Sequence, residues 1–366
     1  MTTLSVLSEV PFERLLPHEF AEGLAAAQRA GEALEGHPLV EAAITHYQGE
    51  FFRRAERLQP ASLVRLKSAW ATFVAWCCEQ DRCALPASPQ TVEAYLIAEQ
   101  DRLHRNTLKV QLWAIGKTHQ ISGCPDPCQN DYVKAQLQQI HHRKVRQREV
   151  IRQAVALRES HLNALVDLWD RPEASLTECR DLLIVSMLYE TLLRKSNLEN
   201  LRVGDVDWQA DGSGLIKVFV TKTDKSGDVK YSYVSPPTMD LLARYLGHAD
   251  IVDNPEAFLI QRVKLSSQQL KGSARTQAAI SPVSAKLIGR VCAKAAKTLG
   301  LSTDRPFTGH SARVGATQDL LAEGFSSLQV QQAGGWSSER MVLRYGGSVL
   351  ASESAMAQRR QRKSPK

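Results

Sequence analysis

Residues 308–317 read TGHSARVGAT and residues 331–338 read QQAGGWSS, and these two strings decide how the C-terminal half of the chain is read. His310 and Arg313 stand at i and i+3 directly after Thr308 and Gly309. A helix opening at that point brings both side chains to its N-terminal end, where unbonded N–H groups and the helix dipole favour an anion. Read alone, His310 is equally a hydrogen-bonded core histidine. Trp336 follows Gly334 and Gly335 at the end of an apolar helix and serves either as core packing or as an indole N–H donor. Tyr345, in MVLRYGG at 341–347, is by default an aromatic anchor.

Further out, ETLLRKSNLENL at 190–201 ends an apolar helix with Arg194, a cation suited to a helix C-terminus. That helix has its own start signal, since Ser175 followed by Glu178 is a capping box, and Leu182, Leu183, Ile184, Val185 and Met187 carry it to Leu193 as a buried element. Leu215–Thr221 and Val229–Val234 are rich in β-branched and aromatic residues and are joined by a turn containing Gly227, which predicts a β-hairpin. Lys222, in FVTKTDKSG at 219–227, stands at the end of the first strand. Helical patterns resume to the C-terminus.

The first half reads differently. Leu63, Leu66, Trp70 and Phe73 form one helical stripe, with Arg65 and Lys67 off it. Ala84–Pro89 is a break. Helices are predicted from Thr91 to about Leu103 and from Thr107 to about His119, the latter ended by Ser122, Gly123 and the prolines that follow. Residues 1–44 read as a partly ordered arm and 45–140 as a helical bundle. Residues 141–157 begin HHRKVRQREVIRQAV, with Arg143, Lys144, Arg146, Arg148 and Arg152 against Glu149 alone, and read as a basic linker. Residues 158–348 form a second domain, and 349–366 a terminal helix with a basic tail.

Composition bounds the possibilities. The chain has 366 residues, enough for two cores, with 43% hydrophobic and 23% charged residues, as expected of a globular protein rather than a disordered one. Its formal charge of +7 suits a polyanionic partner. Seven cysteines, an odd number scattered along the chain, give no disulfide framework and fit a reducing cytoplasm or nucleoid. Cys124 and Cys128 lack a second ligand pair at metal-site spacing, so buried thiols are expected there. The most apolar run, Leu182–Leu188, is too short to span a bilayer.

In order and spacing these segments resemble the tyrosine recombinases of the phage integrase family, its Cre-like members in particular. LLRKSNL is similar to the family's first-arginine segment, TKT to its hairpin lysine, GHSARVGA to its histidine and second arginine, and QAGGW with RY to its tryptophan and nucleophile. RLKSAWATFVAWC and HRNTLKVQLWAIGKTHQISGCPDP resemble the helical DNA-clamp domain. The resemblance implies a mainly α fold with a small antiparallel sheet in the catalytic domain, in a two-domain C-shaped clamp.

It implies Tyr345 as nucleophile, Arg194 and Arg313 as phosphate clamps, His310 and Trp336 as further donors and Lys222 as general acid, with no metal or other cofactor. It further implies double-stranded DNA with inverted-repeat sites as partner, and a homotetramer joined by a terminal helix near Ala351–Gln358. Arg65, Lys67, Asn106, Lys109, Arg143, Lys144, Arg262 and Lys264 are the candidate DNA contacts, each equally readable as solvated surface. A tyrosine-type topoisomerase, a telomere resolvase and a non-catalytic DNA-binding regulator remain as alternatives.

Two departures stand out. Asn197 occupies a position where an acid is common three residues after the first arginine, and an amide supports Arg194 without adding charge. Gly346 and Gly347 directly follow Tyr345, and are expected to end its helix and form a hinge for the terminal segment.

Overall fold

The computed structural model describes residues 3–53, 58–219, 229–262 and 283–363. The chain divides into two compact units, Met1–Ile151 and Arg152–Lys366.

The described part of the first unit is helical: α1 (Thr3–Leu7), α2 (Pro17–Arg29), α3 (Pro38–Arg53), α4 (Pro60–Glu79), α5 (Pro89–Glu99), α6 (Arg105–Ile121) and α7 (Asp131–Arg146). In α4 the fully buried stripe is Leu66, Ala69, Phe73 and Cys77, with Leu63 and Trp70 half-buried at its flanks. Phe73 and Cys77 meet Val92, Tyr95 and Leu96 of α5, Leu108, Leu112 and Ile115 of α6, and Val133 and Ile140 of α7 in one core.

The expectation of an N-terminal arm is corrected by the structure. Phe20, Leu24 and Ala27 repeat at helical spacing in α2 and pack on Val40, Ala43 and Tyr47 of α3 and on Cys124, forming a separate core. The Tyr47 hydroxyl donates to the Phe12 carbonyl at 2.8 Å, tying the segment before α2 into it. The basic linker is also corrected at its start, because α7 continues to Arg146 and takes in most of the cations. Glu149 then folds back: its carboxylate accepts from Lys144 Nζ at 2.8 Å and from the Arg105 amide at 3.1 Å. Burial pushes this carboxyl up, but those donors and the nearby His104 outweigh it and hold it below the usual carboxylate range.

The second unit begins with α8 (Glu159–Trp169) and α9 (Leu176–Glu190), capped as expected: Ser175 Oγ accepts from the Glu178 amide at 3.3 Å and the Glu178 carboxylate accepts from the Ser175 amide at 3.0 Å. Every residue from Cys179 to Leu188 is buried, so α9 is the central post of this unit. Its two charges there are compensated. Asp181 accepts from Arg180 at 2.7 Å and from Lys294 at 2.8 Å.

After the short α10 (Lys195–Leu198) comes an antiparallel sheet in the order β1 (Val206–Trp208), β2 (Gly214–Val218), β3 (Lys230–Val234). Its first strand was not anticipated, since three residues are too few to show an alternating pattern. The β2–β3 register pairs Gly214 with Val234 and Val218 with Lys230. The helices α11 (Pro236–Ala249), α12 (Ala285–Thr298), α13 (Ser311–Ala322), α14 (Ser327–Ala333), α15 (Arg340–Ser352) and α16 (Ala355–Lys363) complete the unit.

The expected break at Gly346–Gly347 is absent: both lie inside α15. A Cβ on Gly346 would stand 2.1 Å from Leu321 Cδ1 of α13, so the missing side chain is what lets the two helices touch, and their packing holds the helix through the pair.

Candidate active site

The site is built where α9 stops. No Gly or Pro interrupts the pattern before Leu193, yet α9 ends at Glu190 and Arg194 is not its C-terminal cation. Thr191 Oγ1 donates back to the Met187 carbonyl and accepts from the Leu193 amide at 3.3 Å, and Leu192 adopts a left-handed φ of +49°. That turn redirects the chain, so Arg194 caps the start of α10 in extended geometry rather than closing α9. Asn197 is buried one turn on, and its backbone amide donates to the Arg194 carbonyl at 2.8 Å. Glu190 fixes the neighbouring strand, accepting from the Ser235 amide and hydroxyl at 2.8 Å each and from the Thr238 hydroxyl at 2.7 Å, just beyond β3.

Arg313 is 3% exposed in the first turn of α13. One terminal nitrogen donates to the Leu192 carbonyl and the other to the Gly334 carbonyl, the latter at 3.0 Å. A guanidinium has five N–H donors, so these contacts orient it while leaving donors for an anion. Its carbon stands 4.6 Å from the centre of the Trp336 ring, and that ring meets Tyr345 edge-on with centroids 5.7 Å apart. Burial, reinforced by the like charge of Arg194, pushes the Arg313 guanidinium down to about 10.

A cavity of about 450 Å³ opens between these parts. Its walls include Arg194, Asn197, Arg313 and Trp336 together with Lys230 of β3 and Gln332 of α14. Sequence reasoning missed Lys230 and Gln332. Gln332 immediately precedes AGGW and offered a local signal, whereas Lys230 reaches the cavity through the β2–β3 register alone. Tyr345 is half-buried behind Trp336, and its backbone carbonyl accepts from Gln318 Nε2 at 3.0 Å. His310 caps α13 and is exposed; it is not among the residues lining this cavity. Lys222 lies outside the described residues.

Of the candidate surface contacts, Arg65 and Lys67 on α4 and Asn106 and Lys109 on α6 are exposed, as is Arg262. Lys67 sits 5.4 Å from the centre of the Phe52 ring. Arg143 reaches Gln100 Oε1 at 2.5 Å and Asp101 Oδ1 at 3.5 Å. Lys144 is corrected: at 7% exposure and bonded to Glu149, it is an internal tie rather than a surface cation. Lys264 lies outside the described residues. Cys124 is packed in the first-unit core, and Cys128 Sγ donates to the Leu112 carbonyl at 3.4 Å. Among the described residues no helix is long and apolar enough to cross a membrane.

The sequence pattern of the phage integrase family matches residues 156–348, more than half of the chain and all of the described cavity. The chain belongs to the phage integrase family. Within this family it groups with the Cre-like tyrosine site-specific recombinases: it is 26% identical over 314 residues to the recombinase Cre of Escherichia phage P1, across 84% of this chain and 90% of that one. It is 25% identical over 304 residues to an integrase/recombinase XerD homologue of Selenomonas ruminantium, across 80% of this chain and 83% of the other.

Solved phage integrase folds align with it. The Tn1549 transposon integrase in complex with circular intermediate DNA gives a TM-score of 0.53 at 14% identity, over 88% of this chain and 99% of that one. A lambda integrase dimer bound to a COC′ core site gives 0.52 at 15%, over 89% and 85%. The mainly helical architecture with a small antiparallel sheet is therefore that of this family.

Proposed function

We propose that this recombinase cuts and rejoins DNA strands at specific sites through a 3′-phosphotyrosine on Tyr345, passing through a Holliday junction. The observation that carries the reading is the series Arg194, Arg313, Trp336, Tyr345: two guanidiniums at one cavity and an aromatic hydroxyl one ring away. Transesterification needs an in-line nucleophile, charge neutralisation on the non-bridging oxygens and a proton for the leaving group. Tyr345 Oη gives up its proton to solvent and attacks phosphorus, the bond to the 5′ oxygen breaks, and that oxygen takes a proton from Lys222. Arg194 and Arg313 hold the phosphate bidentately. His310 and the Trp336 indole N–H add donors to the same oxygens. Energy is retained in the phosphotyrosine bond, so the reading requires neither ATP nor a divalent ion.

The DNA partner is a duplex with inverted-repeat sites, with Arg65, Lys67, Asn106, Lys109, Arg143 and Arg262 as its contacts. Four copies act on two such sites, with the terminal helix exchanged between neighbours.

The test is covalent capture from a pool of nicked duplexes with randomised arms, incubated in EDTA. Wild type is expected to yield SDS-stable adducts enriched for one inverted repeat, and Tyr345→Phe none. Absence of wild-type adducts, or their persistence in Tyr345→Phe, overturns the mechanism. Exchange of flanks between two copies of the recovered repeat, rather than relaxation alone, separates a recombinase from a topoisomerase.

A further inference from the structure

Two glutamine side chains hold the backbone of the helix that carries Tyr345. Gln318 Nε2 of α13 donates to the Tyr345 carbonyl at 3.0 Å, and Gln153 Nε2, in the segment before α8, donates to the Arg344 carbonyl at 3.2 Å. These carbonyls lie in mid-helix, where each already serves the amide four residues on, so each glutamine adds a second bond to an occupied acceptor. Consecutive residues of a helix are separated by about 100° around its axis. Either bond alone restrains the rotation of the helix, and two at that separation restrain it more tightly.

Both glutamines are themselves held. Gln318 Oε1 accepts from Arg158 Nη1 at 3.2 Å, while Arg158 Nε and the Glu159 amide bond the two oxygens of Asp319. The Gln153 carbonyl accepts from Arg305 Nη2 at 2.8 Å, and the Leu157 amide donates to the Ser311 carbonyl at 3.0 Å. The strap 153–159 also passes so near α13 that a Cβ on Gly315 would stand 1.6 Å from the Leu157 carbonyl oxygen. Arg313 lies on that same helix, two residues before Gly315. The strap, the arginine helix and the tyrosine helix thus form one hydrogen-bonded frame.

We propose that Gln153 and Gln318 are positioning residues for the nucleophile, setting the rotation of its helix and so the approach of the Tyr345 hydroxyl to phosphate. The inference rests on Tyr345 being the nucleophile. Its test uses the full chain with Gln153→Met, Gln318→Met and the pair together, since methionine keeps the unbranched shape and removes the donor. Three quantities are measured on the recovered repeat: single-turnover adduct formation at saturating protein, binding in a Tyr345→Phe background, and the thermal midpoint.

Each single variant is expected to slow adduct formation by about three- to tenfold, the loss of one neutral hydrogen bond. The double variant is expected to slow it by more than the product of the singles, because one remaining tether restrains rotation where none does not. Binding stays at the wild-type level, and the thermal midpoint falls by no more than the few degrees that one or two neutral hydrogen bonds are worth. A double variant that cleaves at the wild-type rate overturns the proposal, as does a parallel fall in cleavage, binding and midpoint, which marks the bonds as merely structural. Should wild type itself form no adduct, it is the assignment of Tyr345 that fails.

Discussion

On the proposed mechanism Arg313 concentrates the chemistry of the site, because four separate influences act on its guanidinium. Two backbone carbonyls orient it, the Trp336 face covers it, and Arg194 repels it. On the proposed mechanism a phosphate in the cavity would offset both the desolvation and the repulsion, so its binding energy would fall on the charge that must be neutralised. Lysine at this position keeps a charge but cannot bridge Leu192 and Gly334 or present a fork. Arg313→Lys is therefore expected to lower single-turnover adduct formation by about a hundredfold or more, in line with the loss of a preorganised donor, with DNA binding nearly unchanged in a gel-shift assay.

Among the elements, α15 and α6 carry the sharpest expectations. Gly347 lies inside α15, and a Cβ there meets nothing within 4 Å. Gly347→Ala should thus stabilise the helix by about 0.5–1 kcal/mol through the unfolded chain's lost entropy, raising the thermal midpoint; a hinge would respond with weaker assembly instead. On α6, His119 is fully buried, with Nε2 accepting from the Ala87 amide at 2.8 Å and Nδ1 bonded to the Ile115 carbonyl at 2.8 Å. That pattern requires the neutral ring, and burial pushes its titration down from 6.5 to about 4. The folded state resists a proton that the unfolded state accepts, so the stabilisation is complete above pH 6.5 and is lost as pH falls toward 4. Chemical denaturation should find the chain about 2 kcal/mol less stable at pH 5 than at pH 7 from this group, and a His119→Gln variant should lose that part of the pH dependence.

For the whole molecule, the division between Ile151 and Arg152 falls in a stretch where Arg146, Arg148 and Arg152 are all exposed. Each unit has its own core, and one unbroken backbone segment joins them. Brief trypsin digestion is expected to cut first within 146–152 and release two protected fragments, identifiable by mass. Initial cuts elsewhere, within α4 or α9, would show that the units are not the cooperative blocks their cores imply.

The sequence by itself determined which residues could gather at the site and most of the elements that carry them. Capping at Ser175, the β-branched runs of the hairpin and the i, i+3 pair at His310 and Arg313 are local patterns, governed by neighbours a few residues away. The tertiary structure decided what those residues touch. Locally, the run from Leu182 to Leu193 holds no Gly or Pro and so puts Arg194 at a helix end; a left-handed turn at Leu192 moves it onto the next helix. Lys144 stood in a basic run, and only the return of the chain at Glu149 buries it. Residues 1–44 lacked a strong pattern because their short helices gain stability from one another and from Cys124, far along the chain. Gly346 and Gly347 carry a local preference to end a helix worth about 1 kcal/mol each, and the contact of Gly346 with Leu321, absent from any local window, outweighs it.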